Sequence, residues 1–203
     1  MSKIKVLFTL PSFHTEANNM EVLALVEGLD KAIYEPWLAV EKGGGDFFDK
    51  VIKMGYPIMV EPFTIRSNGL VDAYIKSKKM SLEFKKHGFD IWNSFSESSD
   101  FSEALIAKAA GAKYVYVKKN MNWGHRSWRI KSFLSKAIVA RNKTMFENYF
   151  ATKKLRKKTF LIKAPQINEI NALKEVDVEE SNKQTPELEV AAFADLYSKM
   201  LKS

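Results

Sequence analysis

Two hydrophobic periods alternate along the chain. In residues 4–10, Val6, Phe8 and Leu10 fall on one side and Leu7 on the other, so both faces are apolar, as in a central parallel strand. Pro11 ends the run and a polar loop, 12–17, follows. Asn18 and Glu21 have the spacing of a capping box, and Val22, Leu25, Val26, Leu29 and Ile33 then recur at helical spacing. The pattern repeats. Strands are expected at 37–40, 57–60, 89–93, 113–117, 137–140 and 159–162, and helices at 47–54, 71–86, 128–135 and 145–152. Gly43-Gly44-Gly45 marks a turn, and Gly55 and Gly88 stop helices. Asp100 and Glu103 are expected to cap a further helix that runs to Ala110 and ends at Gly111.

Seven strands alternating with helices predict an α/β fold: a doubly wound, mostly parallel Rossmann-like sheet of about seven strands. Residues 1–163 make this domain. Residues 164–184 are polar, acid-rich and weakly periodic, and read as a linker. Thr185 then offers an N-cap and Pro186 a first-turn proline, with Glu187 and Glu189 placed for the helix dipole. Val190, Phe193, Leu196, Tyr197 and Met200 form one stripe, so the helix in 185–203 is expected to dock back on the same domain.

Composition narrows the chemistry. With 46% apolar residues the chain can build a core, and with no cysteine it has no disulfide, zinc-thiolate site or cysteine nucleophile. Charge is concentrated. Residues 113–163 hold 15 Lys+Arg and one acid, Glu147, for a net +14, whereas the other 17 basic and 23 acidic residues net −6. That asymmetry points to an anionic partner: a phosphate-bearing lipid or sugar, a membrane surface, or nucleic acid. The run Lys153, Lys154, Arg156, Lys157 and Lys158 is the candidate anionic-surface contact.

Ligands of doubly wound sheets bind at the carboxyl ends of the strands, and three loops there are polar. They are Ser12 to Glu16, Ser94 to Asp100, and Lys118 to Arg126. Their hydroxyls, amides and aromatic ring suit a sugar or another polyol. Common nucleotide fingerprints are absent: Gly43–Gly45 lacks both a P-loop lysine and the GxGxxG spacing. His14, His87 and His125 have no metal-ligand spacing, and no serine sits in G-x-S-x-G. His87, next to Gly88, reads as a helix C-terminal residue. No metal, cofactor or catalytic set is assigned.

The order of these parts resembles the N-terminal domain of GT-B glycosyltransferases, family 4 above all. The matching segments are KIKVLFTLPSF…MEVLALVEGL, EPWLAVEKGGGDFFDKVIKMGYPIMVEPF, FDIWNSFSESSD, SEALIAKAAGAKYVYV and KAIVARNKTMFENYFATKKLRKKTFLI. TPELEVAAFADLYSKMLKS resembles the helix with which such enzymes cross back onto this domain. The likeness stops at Lys163-Ala164-Pro165-Gln166-Ile167, where the family has Asn-Gly-Val/Ile-Asp and then a second domain carrying the nucleotide-sugar and paired glutamates.

The resemblance therefore implies an acceptor-binding half without its donor domain, inactive alone. Recognition of a sugar or lipid-linked acceptor would fall to Phe13, His14, Thr15, Ser94, Glu97, Ser98, Lys118, Lys119, Asn120 and Arg126. A base or polar helper of the family type would be His14 or Glu97. One alternative is a subunit of a split two-chain glycosyltransferase, with a separate donor-binding domain or chain as partner. The other is a basic nucleic-acid-binding module that stacks bases on Trp123 and Trp128, the last-ranked of the three. The expected location is the cytoplasm, at the inner face of a membrane if the basic region meets lipid.

Overall fold

The computed structural model describes residues 2–13, 16–119, 121, 125–164 and 185–202. The strands are β1 (Ile4–Ser12), β2 (Tyr34–Lys42), β3 (Ile58–Val60), β4 (Ile91–Ser94), β5 (Lys113–Lys118), β6 (Ala137–Ala140) and β7 (Thr159–Leu161). They form one sheet in the order β3-β2-β1-β4-β5-β6-β7, and every pair is parallel. The helices are α1 (Glu16–Gly28), α2 (Asp46–Lys53), α3 (Leu70–Lys85), α4 (Ser102–Ala110), α5 (Trp128–Leu134), α6 (Lys153–Arg156) and α7 (Pro186–Lys202). The doubly wound expectation is met.

Each face of the sheet has its own core. Val6, Phe8 and Leu10 of β1 pack with α1, α2 and α7, whereas Leu7 joins Trp92, Tyr114 and Tyr116 under α3, α4 and α5. β1 is in register with both neighbours, Phe8 facing Leu38 on one side and Asn93 on the other. Strand order reverses between β1 and β4: the chain first winds outward from β1 through β2 to β3, then crosses to β4 and winds the other way. That point is where doubly wound sheets open a crevice.

The expected stripe of α7 is its buried face. Phe193, Leu196, Tyr197 and Met200 all enter the α1-side core, and Val190 is half-buried. Burying each large side chain there contributes about 1.5–3 kcal/mol before entropy costs. The Tyr34 hydroxyl donates to Ala194 O (3.3 Å), and Lys113 Nζ donates to Met200 O (2.7 Å) at the C-terminal end of α7. Gly28 lets α7 approach α1: a Cβ there would lie 2.6 Å from Val190 Cγ2. Thr185 accepts from the Leu188 amide (3.4 Å), the expected cap. The linker expected at 164–184 lies, from 165 on, outside the described residues.

Three local expectations are corrected. α1 starts at Glu16, two residues before Asn18, so Asn18 is not its N-cap. The helix expected over 145–152 is a π-helical turn, Met145–Tyr149, followed by the one-turn α6. The N-cap of α4 is Phe101 rather than Asp100; Asp100, one residue earlier, accepts from the Ser102 amide (2.8 Å), while Glu103 points into the core.

Candidate functional site

A crevice of about 210 Å³ opens at the reversal point. Leu10, Pro11 and Ser12 supply its β1 side, Phe95 and Glu97 its β4 side, and Lys119 follows β5. Asn19, in the first turns of α1, completes the lining and donates through Nδ2 to Ser12 O (3.1 Å), which fixes the β1–α1 corner. Its chemistry is mixed: one aromatic wall, a hydroxyl, an amide, a carboxylate and an ammonium. Lys119 lies 3.6 Å from Glu21 and 5.9 Å from the Phe95 ring. Burial lowers the pKa of Lys118 and Lys119, and the Glu97 carboxylate opposes that shift in both. Such a lining can hydrogen-bond several hydroxyls and hold one anionic group.

Beneath the β4 side lies a buried carboxylate. Glu103 accepts from Thr9 Oγ1 (2.5 Å) and Trp92 Nε1 (3.1 Å) at one oxygen, and from Ser94 Oγ (2.7 Å) and the Tyr114 hydroxyl (2.9 Å) at the other. Lys131 of α5, fully buried, stands 3.5 Å from it. Burial lowers the Lys131 pKa and Glu103 opposes the shift; burial, with the Glu103 charge second, raises Tyr114 well above the ordinary phenol value. Lys131 also donates to Ser98 O (3.1 Å), and its ammonium lies 4.7 Å from the centre of the Tyr116 ring. The ion pair thus pins the β4–α4 loop, the loop that carries Glu97. Ser99 joins that loop to the next one, accepting at Oγ from the His125 amide (3.2 Å) and at its carbonyl from Ser127 Oγ (3.0 Å).

A second buried cluster closes the α1 side. Arg141, directly after β6, pairs with Glu21 of α1 and with Glu189 of α7 (2.6 Å). Its Nη1 donates to Ile162 O (3.1 Å), just past β7, and its guanidinium lies 5.4 Å from the Phe193 ring and 5.9 Å from the Phe95 ring. Burial raises the Glu189 pKa, and Arg141 opposes that. Through Glu21, which also meets Lys119, this cluster ties α7 to the crevice.

The expected site residues separate into groups. Glu97 and Lys119 line the crevice. Ser94 is buried on Glu103, and Lys118 is buried at the end of β5. Ser98 is exposed on the pinned loop and accepts at Oγ from the Asp100 amide (3.1 Å). Phe13 is a core residue, its ring 6.0 Å from Phe47 and 6.2 Å from Phe48. Arg126 is exposed beside His125 in the β5–α5 loop. His14, Thr15 and Asn120 lie outside the described residues, as does Trp123. Lys153, Lys154, Arg156 and Lys157 are exposed on and after α6, whereas Lys158 turns inward to donate to Phe133 O (2.8 Å) and Ser135 O (2.7 Å). His87 follows α3 and packs against Trp37 and Phe89.

Sequence reading missed Asn19, Glu21, Glu103, Lys131 and Arg141 as parts of this region. Arg141 had one signal: a lone cation ending the all-apolar strand AIVA. Among the described residues no group of three metal-ligating side chains comes together, and no helix is long and apolar enough to cross a membrane.

No family model matches the chain, and no curated protein matches it in sequence. Solved structures do match its fold. A glycosyltransferase from Rickettsia africae superposes with a TM-score of 0.59 at 18% identity, over 81% of this chain and 44% of that one. MurG from Acinetobacter baumannii gives 0.54 at 13%, over 80% and 46%. The UDP-GlcNAc 2-epimerase of Neisseria meningitidis, solved bound to UDP-GlcNAc, gives 0.52 at 12%, over 79% and 46%. The chain therefore has the fold of one Rossmann-like half of GT-B glycosyltransferases and epimerases, and it spans under half the length of these three.

Proposed function

We propose that this chain is the acceptor-binding half of a GT-B glycosyltransferase, of the family 4 type that its sequence segments resemble. The observation that carries this reading is the crevice at the β1/β4 reversal, with Ser12, Asn19, Glu97 and Lys119 converging on it. A sugar would share hydroxyls among Ser12, Asn19 and Glu97 and place a phosphate or carboxylate near Lys119. The donor half would come from outside residues 1–203, as a further domain or a second chain. Catalysis would need that half, so the chain alone binds without turnover.

The test combines binding with activity. Saturation-transfer NMR against neutral sugars, uronic acids and sugar phosphates is expected to detect a sugar that Asn19→Ala and Glu97→Gln weaken at least tenfold, with phosphorylated or acidic sugars strongest. No nucleotide sugar should be hydrolysed or transferred by the isolated chain. Turnover by the isolated chain, or binding of single-stranded nucleic acid in place of any sugar, would overturn the reading.

A further inference from the structure

A second cleft, of about 490 Å³, opens at the amino ends of β6 and β7, the edge of the sheet opposite the crevice. Lys136 leads into β6, Lys157, Lys158 and Phe160 come from the start of β7, and Lys199 and Met200 come from the last turn of α7. Pairing of the two strands brings the first three lysines together, the Ile138 amide donating to Lys158 O (2.8 Å). Lys113 Nζ, donating to Met200 O (2.7 Å), holds the α7 wall in place. Among the described residues no acidic side chain lines the cleft. Asp195, one turn back on α7, meets Lys199 (2.6 Å), but both side chains are more than half exposed, so the pair neutralises little. Lys158 is the inward member. It is half-buried and donates to Phe133 O (2.8 Å) and Ser135 O (2.7 Å). An ammonium has three donors, so one is left for a ligand. Burial lowers the Lys158 pKa, a cost that a bound anion would offset.

We propose that this cleft binds a small linear oligophosphate, a di- or triphosphate, either free or carried on a nucleoside. Charge, size and shape choose this ligand. Four ammonium groups around one cavity repel one another, and two or three linked phosphates can neutralise them where a single phosphate leaves part of the charge unpaired. The volume falls in the range of small-molecule sites, about 300–1,000 Å³. A flat polyanion, whether a bilayer or a nucleic-acid backbone, would meet the exposed lysines at the rim and miss the inner donor on Lys158. Phe160, half-buried, adds one apolar wall. The cleft takes Lys157 and Lys158 from the basic run but not Lys153, Lys154 or Arg156. The inference does not rest on the sugar reading of the crevice, which lies at the other edge of the sheet.

Calorimetric titration of the full chain tests it, in about 0.1 M salt, where exposed charges more than about 10 Å apart are largely screened. Inorganic tripolyphosphate should bind about tenfold more tightly than orthophosphate, and less tightly as salt rises. Lys136→Gln/Lys157→Gln should weaken tripolyphosphate about tenfold and leave the melting temperature unchanged, since both side chains are exposed. Lys153→Gln/Lys154→Gln removes the same charge outside the cleft and should weaken it less than about twofold. ATP separates the two carriers. Tighter binding than tripolyphosphate would set a base against Phe160, and equal or weaker binding would assign the site to the phosphates alone; either supports the cleft. The proposal fails if tripolyphosphate does not bind, if it binds no more tightly than orthophosphate, or if the two double variants lose it equally. It also fails if a single-stranded oligonucleotide binds more tightly than tripolyphosphate and is lost with Lys136→Gln/Lys157→Gln, which would make the cleft part of a nucleic-acid track.

Discussion

The two buried ionic clusters sit on opposite faces of one sheet and are built differently. Glu103 is surrounded by neutral donors, Thr9, Trp92, Ser94 and Tyr114, with Lys131 as its counterion among the described residues. Arg141 is surrounded by charge and carbonyls drawn from α1, α7 and the end of β7. The first cluster lies wholly within the first 131 residues and holds a loop in shape. The second reaches to Glu189 and holds a helix in place. The difference teaches that the crevice depends on two independent supports. One fixes the backbone that carries Glu97, and the other fixes the Glu21 carboxylate that faces Lys119.

Breaking the first support should have the largest effect. Glu103→Ala leaves Lys131 buried without its counterion and should cost about 3–5 kcal/mol, a fall in melting temperature of about 6–20 °C for a chain of this size. Replacing both partners, Glu103→Leu with Lys131→Met, should recover only the part due to the unpaired ammonium, because Thr9, Trp92, Ser94 and Tyr114 still lose their buried acceptor. A single variant that melts within about 1 kcal/mol of wild type would show that the carboxylate is not the anchor its geometry implies.

Breaking the second support should cost no more and act elsewhere. Arg141→Met leaves Glu189 buried without its counterion, a cost of up to about 3–5 kcal/mol that protonation of Glu189, whose pKa burial raises, lowers. Hydrogen exchange should rise across 186–202 while α4 keeps its protection. If α4 loses protection to the same degree, the two clusters form one cooperative unit and the comparison collapses.

The smallest effect sharpens the contrast at Lys119, where the two supports meet. Burial holds its pKa below the ordinary 10.5. The folded chain therefore binds fewer protons there than the unfolded chain between the depressed pKa and 10.5, so this group's share of stability rises with pH across that window. Affinity for an anionic ligand runs the other way and should fall as pH climbs through the same window, below the range of an ordinary lysine. Titrating a sugar phosphate from neutral to alkaline pH checks this. Lys119→Arg, which keeps its charge, should flatten the profile. An equally steep fall in that variant would assign the titration to another group.

Strand and helix positions were legible because they rest on local periodicity. The run KVLFTL can bury both faces only as an inner strand, and the 190–200 stripe can bury itself only by docking. The position of Glu97 and Lys119 at the crevice was legible because their loops follow strands at the carboxyl edge of the sheet. Glu103 was misread because its distance from Asp100 copies a capping box, and nothing local shows that Thr9 and Tyr114 will close around it. Phe13 was misread because a loop position does not reveal that Phe47 and Phe48 arrive from α2 to bury it.

The sequence by itself determined the alternation of elements, the parallel sheet and the docking of α7, since each follows from side-chain spacing within one segment. Only the tertiary structure decided which distant charges share a site. Arg141 meets Glu21 and Glu189 because β6, α1 and α7 converge at one edge, 120 and 48 residues apart along the chain. It also decided that Ala73, Ser77, Ser81 and Phe84 form the buried face of α3, while Val71, Ile75 and Leu82 stay exposed. Periodicity reports that a face exists, but burial is a competition among all surfaces for one core, and that is settled only when the whole chain has packed.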